Sequence, residues 1–320
     1  MGVRRLAATI SAVLVLVSLV ALATKSLELG LDFTSGTSVR LSYSDTVVLD
    51  DVNQTLQSNG YEQAVVVTFG TDRDIRILLG VDENVAERDQ ATQAAVVGET
   101  IAELLRRDSN SEITLAGSDY VSAKVGAELA ESGGLGMLVA LGIIMLYISV
   151  RFQFKFAVGA VVALAHDLII TLGIFSVFSI EFNLNTLAAL LAIIGYSLND
   201  TIVVSDRIRE NFRRMRKGTP IEMVNTSLNQ TLSRTIITSF TTLLVLFSIL
   251  LIGGESTQGF AIALIIGVVT GTYSSIYIAS NVILYMKVTR EDLKHHESPY
   301  YSSVTAGKAE LWSGDTVSKR

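Results

Sequence analysis

The sequence predicts an α-helical membrane protein, with six membrane-spanning helices and one small α+β domain inserted between the first and the second. Three observations carry that prediction. Hydrophobic residues make up 49% of the 320 residues and gather into six stretches of the length that about 20 helical residues need to cross a bilayer core. Lys and Arg in the short connections all fall on one side of a six-span arrangement, as the positive-inside rule requires. The single long stretch between apolar segments alternates strand and helix patterns.

The six spans are expected near Leu6–Thr24, Gly134–Val150, Ala157–Phe178, Leu184–Ser205, Thr235–Ile252 and Gly259–Met286. Arg4 and Arg5, then Arg151 and Lys155, then the Arg207–Lys217 run, then Lys287 and Arg290 share one face, while the opposite loops carry Glu181 and Glu255 and no Lys or Arg. Both termini are therefore expected in the cytoplasm. Arg4-Arg5, an apolar run and Ala21-Leu22-Ala23 also fit the layout of a signal peptide. The run exceeds the usual apolar region of about 7 to 15 residues, so residues 1–24 are read as an uncleaved first span.

Residues 25–133 are expected to form the outer, periplasmic domain. Thr37–Tyr43 alternates and is rich in β-formers; Thr46–Ser58 reads as a helix ending at Asn59-Gly60. Gln63–Phe69 and Asp74–Leu79 read as strands around a turn at Gly70-Thr71-Asp72, Asn84–Arg107 as an amphipathic helix, and Glu112–Ala116 as a last strand. The order β-α-β-β-α-β is that of a ferredoxin-like split βαβ domain. Gly30–Gly36 reads as a turn and strand entry, with Gly36 supplying an unusual backbone conformation. This segment holds no nucleophile–base pair, no His and no phosphate loop, so it reads as a binding or coupling module.

Residues 134–286 make the remaining five-helix bundle, with a cytoplasmic connection at 206–233 and a tail at 287–320. Asp206–Lys217 extends the fourth span as a basic amphipathic helix that Gly218 stops. Thr219-Pro220-Ile221-Glu222 has the layout of a capping box with Pro at the first helical position. The Arg run serves either as a positive-inside anchor or as a contact surface for a partner. The formal net charge of −6 averages an acidic outer domain with these basic loops and points to no nucleic acid. Without cysteine there is no disulfide framework, no thiolate nucleophile and no Cys-based metal site; no metal, cofactor or catalytic residue is expected.

The chemistry lies at membrane depth. A carboxylate at a span centre costs about 2.5 to 3.5 kcal/mol on insertion scales, which makes an intramembrane acid a functional candidate by default. Asp200 sits about 9 Å inside the cytoplasmic end of its helix, six residues before Asp206 at about 1.5 Å per residue. Arg234 opens the next span at similar depth and is its expected countercharge; burial and a guanidinium pull the proton affinity of an acid in opposite directions. His166 and Asp167 lie nearer mid-membrane in the preceding span. Asn199, Thr201, Thr238, Thr272 and Ser274 are expected to support this group with hydrogen bonds. The competing expectations are a static Asp200–Arg234 pair that fixes register, a packed His166–Asp167 cluster, and small residues that serve close helix packing.

Several long motifs resemble one family. Leu29–Thr37, His166-Asp167, Gly195–Val204, Asp206–Asn211, Ser227–Thr235 and Gly271–Ser275 are similar, in order and spacing, to the SecF side of the SecD/SecF protein-export family of the RND superfamily. Ser35 and Ser205 stand where the family usually has Gly and Phe. The resemblance implies an RND-type half of six helices in the bacterial inner membrane. It implies a heterodimer with SecD and attachment to the SecYEG channel, with YajC and YidC as further partners alongside preprotein and membrane lipid. It also implies use of the proton-motive force to promote preprotein export after SecA has acted, with no ATP site and no enzyme activity. The family's intramembrane Asp and Arg carry over onto Asp200 and Arg234, and Asp167 follows. The alternative is a stand-alone RND-type proton-coupled exporter of small molecules or lipids.

Overall fold

The computed structural model describes all residues except 1, 3, 35, 63, 70, 81–89, 110, 152, 216 and 290–320. Among the described residues, six helices are long and apolar enough to cross a membrane: α1 (Arg4–Thr24), α5 (Ala123–Arg151), α6 (Phe154–Val177), α7 (Leu184–Arg214), α8 (Pro220–Ile252) and α9 (Glu255–Tyr285). Helix α5 starts eleven positions before the expected span, because Ala123–Gly133 is polar enough to hide from a hydropathy reading yet contains good helix formers such as Ala127, Glu128 and Ala130. Helices α7 and α8 extend beyond the apolar part of their sequences and meet as a hairpin. The turn between them has Gly218 at φ +120°. Thr219 caps α8 through the reciprocal bonds to Glu222 that its sequence predicts. Within the basic run, Glu210 takes both Arg207 (2.7 Å) and Arg214 (3.1 Å), and buried Asn211 of α7 donates to Ser227 (2.8 Å) of α8.

Between α1 and α5 lie α2 (Leu31–Thr34), β1 (Gly36–Tyr43), α3 (Leu49–Ser58), β2 (Val65–Phe69), β3 (Thr71–Leu79), α4 (Gln90–Asp108) and β4 (Ile113–Val121). The strands form one antiparallel sheet in the order β2-β3-β1-β4, the ferredoxin-like topology. Val39, Leu41, Ile75 and Ile77 project from the central strands onto Val52, Leu56, Ile101 and Leu105 of the two helices, and all eight are buried. That alternation on β1 and β3 buries one face of the sheet. Strands β3 and β4 are longer than expected, with β3 beginning at Thr71, and the first turn of α3 starts later. The short helix α2 occupies what reads as a turn. The expected helix start at Asn84–Asp89, the turn residue Gly70, Ser35 and the tail from Arg290 lie outside the described residues.

The segment leading into the sheet is stitched to the α6–α7 connection. Leu29 bridges Phe182; Gly30 N donates to Phe182 O (2.8 Å), and Phe182 N donates to Glu28 O (2.7 Å). Asp32 Oδ2 accepts from the first amide of α7, Leu184 N, at 2.9 Å. Arg76 of β3 pairs with Glu181. A side chain at Gly30 would meet the Glu181 carboxylate at 2.6 Å and Asn183 Cβ at 3.1 Å, so a larger residue there would have to displace Glu181.

In lipid, helices gain little from the hydrophobic effect and associate through close packing and polar contacts. Helix α9 follows that rule. Gly267 lies against Ile193 and Gly271 against Ser197, both on α7, and Gly173 of α6 lies against Ser18 of α1. These glycines let α9 and α6 approach their neighbours closely enough for hydroxyls to meet across the helices.

Candidate functional site

Because α6, α7 and α9 pack this tightly, three of their polar side chains converge. Asp167 on α6 is 0% exposed. Its Oδ2 accepts from Ser197 Oγ of α7 (2.6 Å) and from Ser274 Oγ of α9 (2.7 Å). Its Oδ1 lies 3.0 Å from Nδ1 of neighbouring His166. Both oxygens of this carboxylate thus have neighbours at hydrogen-bond distance, and the two serines hold their bonds only while the three helices keep their spacing. A change in its protonation would register as a change in helix packing.

The network runs on from there. Thr201 meets Ser275 at 2.9 Å, and Thr272 meets Ser239 of α8 at 2.6 Å. His166 stacks on Tyr273 with ring centroids 6.2 Å apart. The Tyr273 hydroxyl donates to Ala7 O of α1 at 2.7 Å, which ties the first helix into the same layer.

Asp200 stands apart. It lies one turn from Ser197 on the same face of α7, is 5% exposed, and its Oδ2 is enclosed with no hydrogen-bond partner. The hydroxyl of Thr235 on α8 is equally buried and equally without a partner. Arg234 is close enough to act electrostatically on Asp200, but its side chain is exposed and no ion pair joins the two among the described residues. A buried polar atom without a partner costs about 1–3 kcal/mol. Asp200 therefore offers an open acceptor oxygen to a water, a donor or an approaching cation.

Of the residues expected at the site, the structure gathers Asp167, His166 and Ser274 into one cluster and places Thr201 and Thr272 in the adjoining serine–threonine contacts. Asn199 and Arg234 are exposed on the outer surface of α7 and α8. Thr238 is also exposed and bonds back to Arg234 O and Thr235 O of its own helix, both at 3.0 Å. Ser197 was not among the expected residues although it makes the shortest bond to Asp167. Its signal is positional: it precedes Asp200 by three residues and so shares its helix face.

Six membrane-length helices around a buried carboxylate network, with a split βαβ domain at one end, define a polytopic membrane protein with ionisable groups at depth. The profile for protein export membrane protein SecD/SecF, C-terminal, matches residues 83–289, and that for the SecD/SecF GG motif matches residues 20–47. The chain belongs to the SecD/SecF family of protein export membrane proteins. It is 45% identical to the protein translocase subunit SecF of Pseudomonas aeruginosa, over 92% of each chain. Against the protein of that name from Escherichia coli O157:H7 it is 41% identical over 89% of this chain and 86% of the other. The crystal structure of SecDF from Thermus thermophilus, described as a translocon-associated membrane protein, aligns with a TM-score of 0.78 at 34% identity. That match covers 90% of this chain and 38% of the SecDF chain, so this chain spans well under half of the larger protein.

Proposed function

We propose that this chain is the SecF-type subunit of a membrane complex that draws on the proton-motive force, with a SecD-type partner, to promote preprotein export through a SecYEG-type channel. The observation that carries this reading is the pattern of coverage. The chain matches SecF subunits over about nine-tenths of their length but only 38% of a SecDF chain, so a SecD-type chain would supply the remainder. The outward-facing Asn199, Arg234 and Thr238 support it, because polar side chains at membrane depth require protein or water rather than lipid. A stand-alone exporter of small molecules or lipids has no support among these relatives. YajC-type and YidC-type proteins would join as further partners.

In this reading the ends bearing Arg4, Arg5, Arg151, Lys155 and Lys287 face the cytoplasm, and the sheet domain of residues 25–133 lies in the periplasm, with the inner membrane between. Each proton moving inward supplies about 2.3 kcal/mol per 100 mV. Asp200 is the residue that takes and releases it, and Arg234 is the countercharge that can swing toward it; the saturated Asp167 cluster passes the change in charge on to helix spacing.

The test is affinity purification from native membranes with partners identified by mass. A SecD-type protein in near-equal amount is the expected result; recovery of the chain alone would refute the reading. Orientation is checked separately by cysteines placed at Gly60 and Gly218 in this cysteine-free chain. An impermeant reagent applied from the periplasmic side should label position 60 and spare position 218.

A further inference from the structure

At the end of the bundle where α1 begins and α9 stops, a cavity of about 830 Å³ opens between the two helices. Arg4 and Arg5 reach it from the start of the chain and Lys287 from just beyond α9, and no Asp or Glu among the described residues lines it. A fourth cation is close by, since Lys155 Nζ donates to Lys287 O at 3.2 Å. Asn281 closes the groove by donating to Arg4 O at 3.3 Å. The remaining wall is apolar, built from Ala8, aliphatic residues of α9 and the ring of Tyr285, which is 88% exposed. The volume lies within the range of about 300–1,000 Å³ typical of small-molecule sites.

Cations gathered from distant parts of the chain repel one another unless an anion sits among them. Its surroundings specify that anion. The cavity lies where helices leave the apolar layer, Tyr285 has the amphipathic character of an interfacial anchor, and the α1/α9 groove below is lined by hydrocarbon. We propose that this cavity binds the phosphate headgroup of an anionic phospholipid, with Arg4, Arg5 and Lys287 holding the phosphate and an acyl chain lying along the groove past Ala8. Basic pockets between membrane helices take such headgroups on the same physical grounds. The site is distinct from the buried carboxylates and draws on none of their residues.

The plain rival is diffuse attraction of a basic surface to an acidic bilayer, and the experiment separates the two. The full chain, purified in detergent, is given phosphatidylglycerol and phosphatidylcholine in equal amounts, and retained lipid is read by native mass spectrometry. The expected result is a clear preference for phosphatidylglycerol that weakens about fivefold for each cation removed in the series R4Q, R5Q and K287Q. Ala8→Phe keeps every charge and fills the groove; it should remove the preference as well, which guards against altered insertion of the arginine variants. R213Q/R214Q/K217Q removes three cations elsewhere on the same face and should leave the preference intact. The proposal fails if the preference survives Ala8→Phe and the cation series, or if the distant triple variant abolishes it equally. It fails also if inorganic phosphate competes as strongly as the lipid, which would make the ligand a free anion. No export is measured, so this outcome and the export reading stand or fall separately.

Discussion

Two carboxylates about one turn apart, on neighbouring helices of the same bundle, have opposite surroundings. Asp167 is held by two serines and a histidine on three sides, whereas the Asp200 Oδ2 has no partner among the described residues. The contrast supports a division of roles between them. A well-bonded carboxylate puts several contacts at risk when its charge changes and acts as a fastener. An under-bonded one can gain a proton or a cation without breaking anything. On this contrast we propose Asp200 as the switch and Asp167 as the strut that feels it.

Alanine separates the two most sharply. Asp167→Ala removes the acceptor of Ser197 and Ser274 and the contact to His166, leaving Ser274 only its bond to Gly271 O. A buried donor without its partner costs about 1–3 kcal/mol, so melting of the detergent-solubilised protein should fall sharply and abundance with it. Asp200→Ala removes an acid that has little to lose and should leave stability within about 1 kcal/mol of wild type. Equal destabilisation by both would erase the distinction between strut and switch.

A Leu in place of Gly267 should rank next. Its side chain would enter the space of Ile193, force α9 off α7 and cost about 1–3 kcal/mol as overpacking, read as a lower melting temperature. Ser197→Ala and Ser274→Ala should each cost about 0.6 kcal/mol and no more than about 1.7, the span measured for hydrogen bonds inside membrane bundles. Both serines bond one oxygen, so the double variant should depart from the sum of the singles. Strict additivity would mean that the two bonds are not coupled through Asp167.

The smallest effect belongs to the sheet domain. Tyr43 is buried with its hydroxyl unpartnered, and burial pushes its phenol from 10.0 up to about 12. The folded domain therefore holds that proton more tightly than the unfolded chain does. The stability from this group is complete below pH 10 and is lost as pH rises through about 12. Tyr43→Phe should be neutral or slightly stabilising at pH 7 and should flatten that alkaline loss. Both can be read by chemical unfolding of the fragment Leu29–Ala130, whose own buried core predicts that it folds alone.

Much of this was legible in the sequence where the signal is local. The capping box at Thr219 and Glu222, the strand alternation of β1 and the apolar lengths of the spans each depend on residues a few positions apart. Asp200 and Asp167 stood out because an acid in an apolar run is costly wherever it packs. What sequence could not decide was which way each helix turns. Depth put Arg234 near Asp200, where its charge does act, but the rotation of α8 leaves Arg234 exposed and buries Thr235. Ser197 shares a helix face with Asp200, but its bond to Asp167 comes from the approach of α6 and α9, which glycines such as Gly271 permit.

Whether Asp200 carries the proton is decided by preprotein translocation into inverted vesicles, measured with and without an uncoupler. Asp200→Asn keeps size and hydrogen bonding but cannot titrate. At normal abundance and with its partner bound, this variant should lose the uncoupler-sensitive part of translocation and retain the rest. If Asp200→Asn vesicles still show stimulation that the uncoupler abolishes, Asp200 is not the proton carrier and the roles of the two carboxylates are the reverse of those assigned to them.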